Sequence, residues 1–205
     1  MLLYVDTQYR SPYAMSVFVG LQEKHIPFEL RTIDFTNGAN HSDEYAAVSL
    51  TERLPTIVDG DFSLSESSAI TEYLDEVYPG MSLYPSDPKM KARARQVQAW
   101  IRSDFLPIRQ ERSTIVIYYQ VSHVPLSGDA TEAVQKLFRA AEALLHHNGG
   151  HLFGHWSIAD VDLALMLNRL LLNGDAVPTK LADYARRQWD RPSVQEWIHL
   201  NRPAL

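Results

Sequence analysis

The chain has 205 residues, of which 45% are apolar and 21% are charged, and its formal net charge at pH 7 is −6. This length can bury one large or two small cores, and the acidic balance argues against nucleic acid or an anionic membrane surface as the main partner. The sequence contains no cysteine, which excludes disulfides, a cysteine nucleophile and thiolate metal sites.

Residues 1–78 alternate short strand-like and helix-like segments. The strand-like segments are apolar or alternate apolar and polar residues, and the helix-like ones space apolar residues along one face. The resulting order, β-α-β-α-β-β-α, predicts an α/β domain of thioredoxin-like order. We predict strands at 2–5, at 27–34 and twice within 56–64 around an Asp59-Gly60 turn, and helices at 12–24, around 42–48 and at 68–78.

The composition changes at "YPGMSLYPSDP" (78–88), where prolines and a glycine break helical patterns. We therefore predict a linker over 79–88 and an all-α domain over 89–205. In this domain Pro107 is expected to bend or end the first helix near Leu106. We expect five helices in this domain. The first starts at Pro88, the second places the apolar residues of 134–145 toward the core, the third follows the "WSIAD" stretch (156–160), and two shorter ones lie near 179–189 and 193–200.

The "WSIAD" stretch has the pattern of a helix start, because Ser157 and Asp160 can cap each other's backbone N–H groups. The helix after it is apolar nearly all round, which predicts the centre of the helical domain. Its longest apolar run, 161–172, carries Asp162 and Arg169 and is too short to span a bilayer. Since the first residues also lack the pattern of a signal peptide, we expect a cytoplasmic protein with no membrane partner.

Histidines cluster in "HNGGHLFGH" (147–155), the one stretch that could suggest a metal. The cluster lies in a Gly-rich turn, lacks the spacing of two ligands on one helix face, and has no nearby acidic ligand. We interpret it as a solvated loop and predict no metal.

Three stretches of the first domain could act on a ligand. Ser11-Pro12 starts the first helix beside the end of the first strand, where open α/β sheets bind ligands. In "RLPT" (53–56), a cis peptide before Pro55 would expose the backbone of Leu54. "SESS" (65–68) opens the third helix with free N–H groups that favour an anion. Each stretch also has a purely structural interpretation, as a helix cap or the start of a strand.

Taken together, these stretches resemble a cytosolic-type glutathione transferase, closest to the bacterial members with a serine active site. The resemblance covers essentially the full length. It rests on Ser11, on Leu54-Pro55 followed by "TIVDGDFSL", and on "SESSAITEYL". A proline-bearing linker and "SIADVDLAL" in a helical second domain complete it. It implies the glutathione transferase fold and glutathione as co-substrate.

The resemblance also implies roles for individual residues. Ser11 would donate its hydroxyl hydrogen bond to the glutathione thiolate, and Pro55 would be the family's cis-proline. The backbone of Leu54 would then pair with the cysteinyl amide of glutathione. Glu66 would hold the γ-glutamyl ammonium, and Ser67, with the helix N-terminus, the neighbouring carboxylate.

Further residues follow from the resemblance less directly. His41 could meet the glycyl carboxylate, and Asp104 could approach the γ-glutamyl ammonium or be an ordinary solvated carboxylate. Phe105, Tyr118 and Tyr119 would contribute to an apolar pocket for the electrophile. A homodimer is expected because the family usually builds its site near a two-fold interface.

Two features leave alternatives open. The loop before Ser11 is long for a Ser-type template, so Tyr9 or Thr7 could donate to the thiolate instead, with Tyr4, which should lie within the strand, as a more remote candidate. Ser11-Pro12-Tyr13-Ala14 also looks like a glutaredoxin Cys-Pro-Tyr-Cys motif without its cysteines, which rules out disulfide exchange by a protein thiol. The expected activity is attack by glutathione on an apolar electrophile or an organic hydroperoxide. The alternatives are a non-catalytic glutathione-binding or interaction module and a glutathione-dependent isomerase, and the sequence does not identify the electrophile.

Overall fold

The structure, a computed structural model, describes residues 1–145 and 150–205. Its contacts divide the chain into two compact units, Met1–Leu83 together with Pro192–Leu205, and Tyr84–Arg191. The limits at 78 and 89 that we expect between two domains remain a prediction. Among the described residues, no helix combines the length and the apolar character that a bilayer crossing requires.

The first unit contains a four-stranded sheet in the order β2-β1-β3-β4. Strand β1 pairs parallel with β2 and antiparallel with β3, and β3 pairs antiparallel with β4. The predicted order β-α-β-α-β-β-α and the thioredoxin-like class are therefore confirmed. The elements are β1 (Leu2–Asp6), α1 (Pro12–Glu23), β2 (Glu29–Ile33), α2 (Asp43–Ala46), β3 (Thr56–Asp59), β4 (Phe62–Ser65) and α3 (Ser67–Val77), with a 3-10 turn at Ala39–His41.

The β3–β4 hairpin differs from the prediction by one residue. Asp59 pairs with Phe62, so Gly60 and Asp61 form the turn rather than Asp59 and Gly60. Gly60 has a φ of 64°, a left-handed conformation that glycine adopts without steric cost. The turn signal was correct, but Asp59 extends the ladder.

Helix α10 (Pro192–Ile198), which the sequence placed with the helical domain, packs on α1 in the first unit. Gln22 donates to Glu196 at 2.5 Å, and the Ser193 hydroxyl donates to Glu23 at 2.5 Å. The fully buried Trp197 ring lies edge-on to Phe18, with 5.3 Å between ring centroids. The last helix of the chain thus completes the core that supports α1.

The second unit is helical in its described part, as predicted. Pro107 lies in the first turn of a new helix rather than at the end of the first one, because proline is compatible with a helix start. The helices are α4 (Pro88–Ser103), α5 (Leu106–Glu111), α6 (Ile115–Tyr118), α7 (Gly128–Leu144), α8 (Ile158–Leu171) and α9 (Thr179–Trp189).

Helix α8 begins at the capping box that the sequence predicts, and its residues are mostly buried. The fully buried Asp160 carboxylate accepts from the Leu152 and Ser157 N–H groups at 2.8 Å each. It also accepts from the hydroxyls of Ser157 and Tyr184 at 3.0 Å each. One carboxylate therefore satisfies donors from the preceding loop, the start of α8 and α9.

We expect Asp160→Asn to lower the free energy of unfolding by about 2–3 kcal/mol, because an amide cannot accept from every buried donor that the carboxylate satisfies. Urea unfolding of the wild type and the variant measures this loss. Asp183→Asn, in an exposed ion pair with Arg186 on α9, is the matched control and should change stability by less than about 0.5 kcal/mol. Equal stability of Asp160→Asn and the wild type would contradict the assignment.

Candidate functional site

Three chain segments leave the sheet of the first unit at the same end. Thr56, the first residue of β3, pairs with Tyr4 of β1 on one side and with Ser65 of β4 on the other. The segment after β1, the residues before Thr56 and the residues after Ser65 therefore share one edge of the sheet. This register collects most of the predicted glutathione-binding residues in one region.

Ser11 is the N-cap of α1, as predicted. Its Oγ accepts from the Ala14 N–H at 3.2 Å, and Pro12 occupies the first helical position. The Ser11 N–H donates to Asp6 Oδ1 at 2.9 Å, and the Arg10 N–H donates to Asp6 Oδ2 at 2.8 Å. A hydroxyl has one proton and two acceptor lone pairs, so accepting from Ala14 leaves the Ser11 proton available to a ligand.

The alternative donors Tyr9 and Thr7 lie in the same loop. The Tyr9 ring lies edge-on to Trp197, with 6.0 Å between centroids and 90° between ring planes. Its φ of 49° is uncommon for a bulky residue. The Thr7 N–H donates to the Ile33 carbonyl at 3.3 Å, extending the pairing of β1 with β2. Tyr9 thus packs against the C-terminal helix, and the Thr7 backbone continues the sheet.

The Leu54–Pro55 peptide bond is cis, as the resemblance implies. The turn before it is fixed by the Arg53 carbonyl, which accepts from the hydroxyls of Tyr45 at 2.8 Å, Thr56 at 3.0 Å and Ser49 at 3.3 Å. Burial raises the pKa of Tyr45, so its hydroxyl stays protonated as a donor. Pro55 is buried, whereas Leu54 is half-buried.

Glu66 and Ser67 follow β4 directly and open α3. Glu66 is exposed and occupies the N-cap position with a φ of 76°, and its side chain does not cap the helix. Ser67 is the first helical residue and is buried. The first N–H groups of the 11-residue α3 therefore point from the same end of the sheet as Ser11, as expected for an anion site.

His41 and Asp104 already have partners. The exposed His41 ring has its Nδ1 at 2.6 Å from Glu52 Oε2, and Asn40 Nδ2 lies 3.1 Å from its Nε2. Asp104 is the C-cap of α4 and accepts from Lys136 Nζ at 2.5 Å and Trp100 Nε1 at 2.7 Å. The Lys136 hydrogen bond lowers the pKa of Asp104. An incoming ammonium would have to compete with Lys136 for this carboxylate.

The three residues expected in the electrophile pocket lie in the second unit. The Phe105 side chain is 1% exposed and packs on Trp100 with 4.5 Å between ring centroids. Phe105 lines a groove of about 730 Å³ together with Asp104 and α7, and Tyr118 and Tyr119 are not among its lining residues. Both tyrosines are half-buried, at the end of α6 and just after it.

The segment after α6 is held by a buried arginine. Arg112, 2% exposed, donates Nε and Nη2 to the two Asp175 oxygens at 2.6 and 2.9 Å, and donates to the Val124 carbonyl at 3.1 Å. Asn173 adds an acceptor for the Ser122 N–H at 2.7 Å. The Arg112 hydrogen bonds lower the pKa of Asp175. The loop beyond Tyr119 is thereby tied to the segment that follows α8.

Asp6, Arg10 and Arg53 are candidate site residues that the sequence analysis missed. Asp6 holds the loop amides, and Arg53 exposes its side chain directly before Leu54. Arg10 Nε is buried, and no described residue accepts from it. The sequence shows that these three charged residues lie next to the predicted motifs. It does not show which groups their backbone and side chains bond to.

The histidine cluster for which we predict no metal spans residues 147–155. Residues 147–149 lie outside the described residues, as does the adjoining 146. Within residues 1–145 and 150–205, no three histidine or acidic side chains are grouped in a way that could hold a metal ion.

Two protein-family models match the chain: the N-terminal domain of glutathione S-transferase over residues 7–82 and its C-terminal domain over residues 87–202. The chain therefore belongs to the glutathione S-transferase family. A glutathione transferase homolog from Burkholderia, solved with bound glutathione, is 46% identical, covers 96% of this chain and 95% of its own, and superposes with a TM-score of 0.78.

Curated relatives match in two ways. Glutathione S-transferase theta-3 of Mus musculus is 36% identical over 99 residues, which are 48% of this chain and 40% of that protein. A probable maleylacetoacetate isomerase of Vibrio cholerae is 26% identical over 173 residues, 81% of this chain and 79% of that protein. The match thus spans less than half the length of the theta relative.

We expect Asp175→Asn to lower the free energy of unfolding at pH 7 by about 2 kcal/mol, because it leaves the Arg112 charge buried beside a weaker acceptor. The pKa of Asp175 is lower in the folded state than in the unfolded state, where an aspartate titrates near pH 3.9. The carboxylate therefore stabilises the fold at pH values above about 3.9, and this stabilisation is lost as the pH falls through the folded-state pKa. The difference between the variant and the wild type should therefore shrink in acid.

Urea unfolding at several pH values measures this difference. Asp183→Asn, which removes the exposed partner of Arg186, is the control and should change stability by less than about 0.5 kcal/mol at pH 7. A difference that is equal at pH 7 and in acid would show that Asp175 does not act through its charge.

Proposed function

We propose that this protein is a glutathione transferase that binds glutathione at the end of the sheet where Ser11, Leu54 and Ser67 converge. In this proposal the Ser11 hydroxyl donates to the glutathione thiolate, and the backbone of Leu54 pairs with the cysteinyl amide. Glu66 faces the γ-glutamyl ammonium, and Ser67 with the N-terminus of α3 receives the neighbouring carboxylate. His41 and Arg53 are the proposed partners of the glycyl carboxylate.

One observation carries the proposal: the Ser11 Oγ accepts from Ala14 while keeping its proton. The same serine can therefore cap α1 and donate to a thiolate in front of the helix. The position favours an anion, because the first N–H groups of α1 carry its positive dipole end. The 46% identity to a glutathione transferase homolog solved with bound glutathione supports the choice of ligand.

The magnitudes are sufficient without a general base. A free thiol titrates near 8.5, and lowering that value by two units requires about 2–3 kcal/mol of preference for the thiolate. A hydrogen bond to a charged acceptor contributes about 1.5–3 kcal/mol. The helix N-terminus adds about 0.3–1 kcal/mol. Together they account for a thiol that is mostly ionised at neutral pH.

The thiolate would attack an apolar electrophile by addition or substitution, or an organic hydroperoxide. With a hydroperoxide, sulfur attacks oxygen, the O–O bond breaks, and the departing alkoxide takes a proton to become the alcohol. The resulting glutathione sulfenic acid condenses with a second glutathione, giving glutathione disulfide and water. Every thiol in these reaction steps comes from glutathione, because the chain contains no cysteine.

We propose that the electrophile is an apolar small molecule and that it is bound by Phe105, Tyr118 and Tyr119. We also propose a homodimer. It is supported by exposed apolar side chains in the first unit, including Phe62, 44% exposed, and Val77, 55% exposed. Detoxification of electrophiles is the role that this chemistry fits.

We expect Ser11→Ala to lower kcat by about 10-fold or more, while the glutathione Kd changes by less than about threefold, because the hydroxyl acts on the thiolate rather than on binding. Turnover is measured with an activated aryl halide and with an organic hydroperoxide, and binding by calorimetry. Ser16→Ala is the matched control: Ser16 is a buried serine of α1 whose hydroxyl bonds to none of the described residues.

Tyr9→Phe and Thr7→Ala distinguish the alternatives. Full turnover in Ser11→Ala together with a loss in Tyr9→Phe or Thr7→Ala would assign the thiolate contact to that residue instead. Tight glutathione binding by the wild type without turnover on a broad panel of electrophiles would identify a binding module.

A glutathione-dependent isomerase is the second candidate, and Arg10 is the observation that favours it. Arg10 directly precedes Ser11, and its buried Nε lacks an acceptor among the described residues. A buried N–H group without an acceptor is unfavourable, and a substrate carboxylate would supply one. The similarity to a probable maleylacetoacetate isomerase over 81% of the chain supports the same candidate.

If the isomerase candidate is correct, Arg10→Met should lower kcat/KM for a cis-dienoic acid by about 10- to 100-fold, the range of one hydrogen bond to a charged group. Its activity on a neutral electrophile should change by less than about twofold, which makes the neutral substrate an internal control. Equal losses on the two substrates would mean that Arg10 does not recognise a carboxylate.

A further inference from the structure

The loop that contains Ser11 is bonded to Asp6, the last residue of β1. The Tyr9 N–H donates to the Asp6 carbonyl at 3.0 Å. The two Asp6 carboxylate oxygens accept from the N–H groups of Arg10 and Ser11 at 2.8 and 2.9 Å. Three consecutive backbone amides of the loop are therefore bonded to one residue at the end of the sheet.

Arg202, which follows α10, also bonds to this loop. Arg202 Nη2 donates to the Tyr9 carbonyl at 3.3 Å, across 193 residues of sequence. The guanidinium also donates to the carbonyls of Trp197 at 2.8 Å, Ile198 at 2.6 Å and Leu200 at 3.1 Å. The first two carbonyls belong to the last turn of α10, where carbonyls lack helical partners and a cation is favoured.

Ring packing reinforces this connection. The fully buried Trp197 lies edge-on to both Tyr9 and Phe18, with centroid distances of 6.0 and 5.3 Å. Because Phe18 is on α1 and Tyr9 is in the loop before α1, Trp197 bridges the two. Arg202 is then bonded both to the Trp197 carbonyl and to the loop.

We propose that Arg202 is a positioning residue for Ser11: by holding the Tyr9 carbonyl against the end of α10, it sets the direction of the Ser11 hydroxyl. The proposal rests on the proposed role of Ser11 as donor to the glutathione thiolate. Arg202 acts through the peptide between Tyr9 and Arg10. If this peptide turns, the Arg10 and Ser11 amides move relative to Asp6, and the hydroxyl moves with them.

The test uses the full chain with Arg202→Met, which removes all donors, and Arg202→Gln, which keeps an N–H donor for the α10 carbonyls without the reach of arginine. The ultraviolet absorbance of the bound glutathione thiolate is followed against pH. We expect the midpoint to rise by about one pH unit in both variants, a 10-fold change in the acid dissociation constant. The glutathione Kd should change by less than about threefold.

Three controls make the result specific. Arg31→Met removes a cation that pairs with Glu29 on β2, where the side chains are 54% and 61% exposed, and should leave the midpoint unchanged. Arg202→Lys, which restores a cation, should recover part of the shift. In a Ser11→Ala background, Arg202→Met should add no further shift, because the two residues act in series.

The outcomes separate the two proposals. A wild-type midpoint at the value of free glutathione would overturn the proposed function, and with it the role of Arg202. A lowered wild-type midpoint that stays the same in Arg202→Met and Arg202→Gln would overturn the role of Arg202 alone. A shift that persists in the Ser11→Ala background would also overturn it, because Arg202 would then not act through Ser11.

Discussion

The candidate site depends on one register of the sheet, in which Thr56 lies between Tyr4 and Ser65. The Thr56 side chain is fully buried, and its hydroxyl lies 3.0 Å from the Tyr45 hydroxyl and 2.9 Å from the Ser49 hydroxyl. A slip of one residue would turn this side chain to the opposite face of the sheet. The contacts that hold the turn before Leu54 would then be lost. The pairing that builds the fold therefore also brings the candidate ligand-binding segments together.

Within this frame, the backbone amides nearest Ser11 are already used. Asp6 accepts from the amides of Arg10 and Ser11, so neither N–H is available to a thiolate unless that carboxylate is displaced. In the proposed site, stabilisation of the thiolate is left to the Ser11 hydroxyl and to the field of α1. Because the energy of a hydrogen bond falls steeply as its angle departs from linearity, the direction of one O–H bond becomes decisive. In the proposed function, the contacts that orient the loop therefore also affect the chemistry.

What the sequence could predict follows from how local each signal is. The helix starts after Ser11, at Pro88 and after Ser157 are encoded within about one helical turn, and all three are confirmed. The cis bond before Pro55 followed from the family resemblance rather than from local preference. The packing of α10 on α1 and the pairing of Asp104 with Lys136 depend on tertiary contacts that no local pattern encodes. The missed part of the site is therefore the set of partners, not the set of motifs.

Tyr9 shows why such partners matter. Its φ of 49° is a left-handed conformation that costs a residue with a bulky side chain about 1–2 kcal/mol. Glycine at this position would remove that cost, but it would also remove the ring that packs on Trp197. An edge-to-face aromatic pair contributes about 0.5–1.5 kcal/mol beyond its buried area, which is comparable to the backbone cost. The backbone cost and the aromatic contribution thus nearly cancel. The hydrogen bond from Arg202 to the Tyr9 carbonyl further stabilises the ordered loop. Contacts to α10 therefore stabilise this loop conformation together with the hydrogen bonds from the loop amides to Asp6.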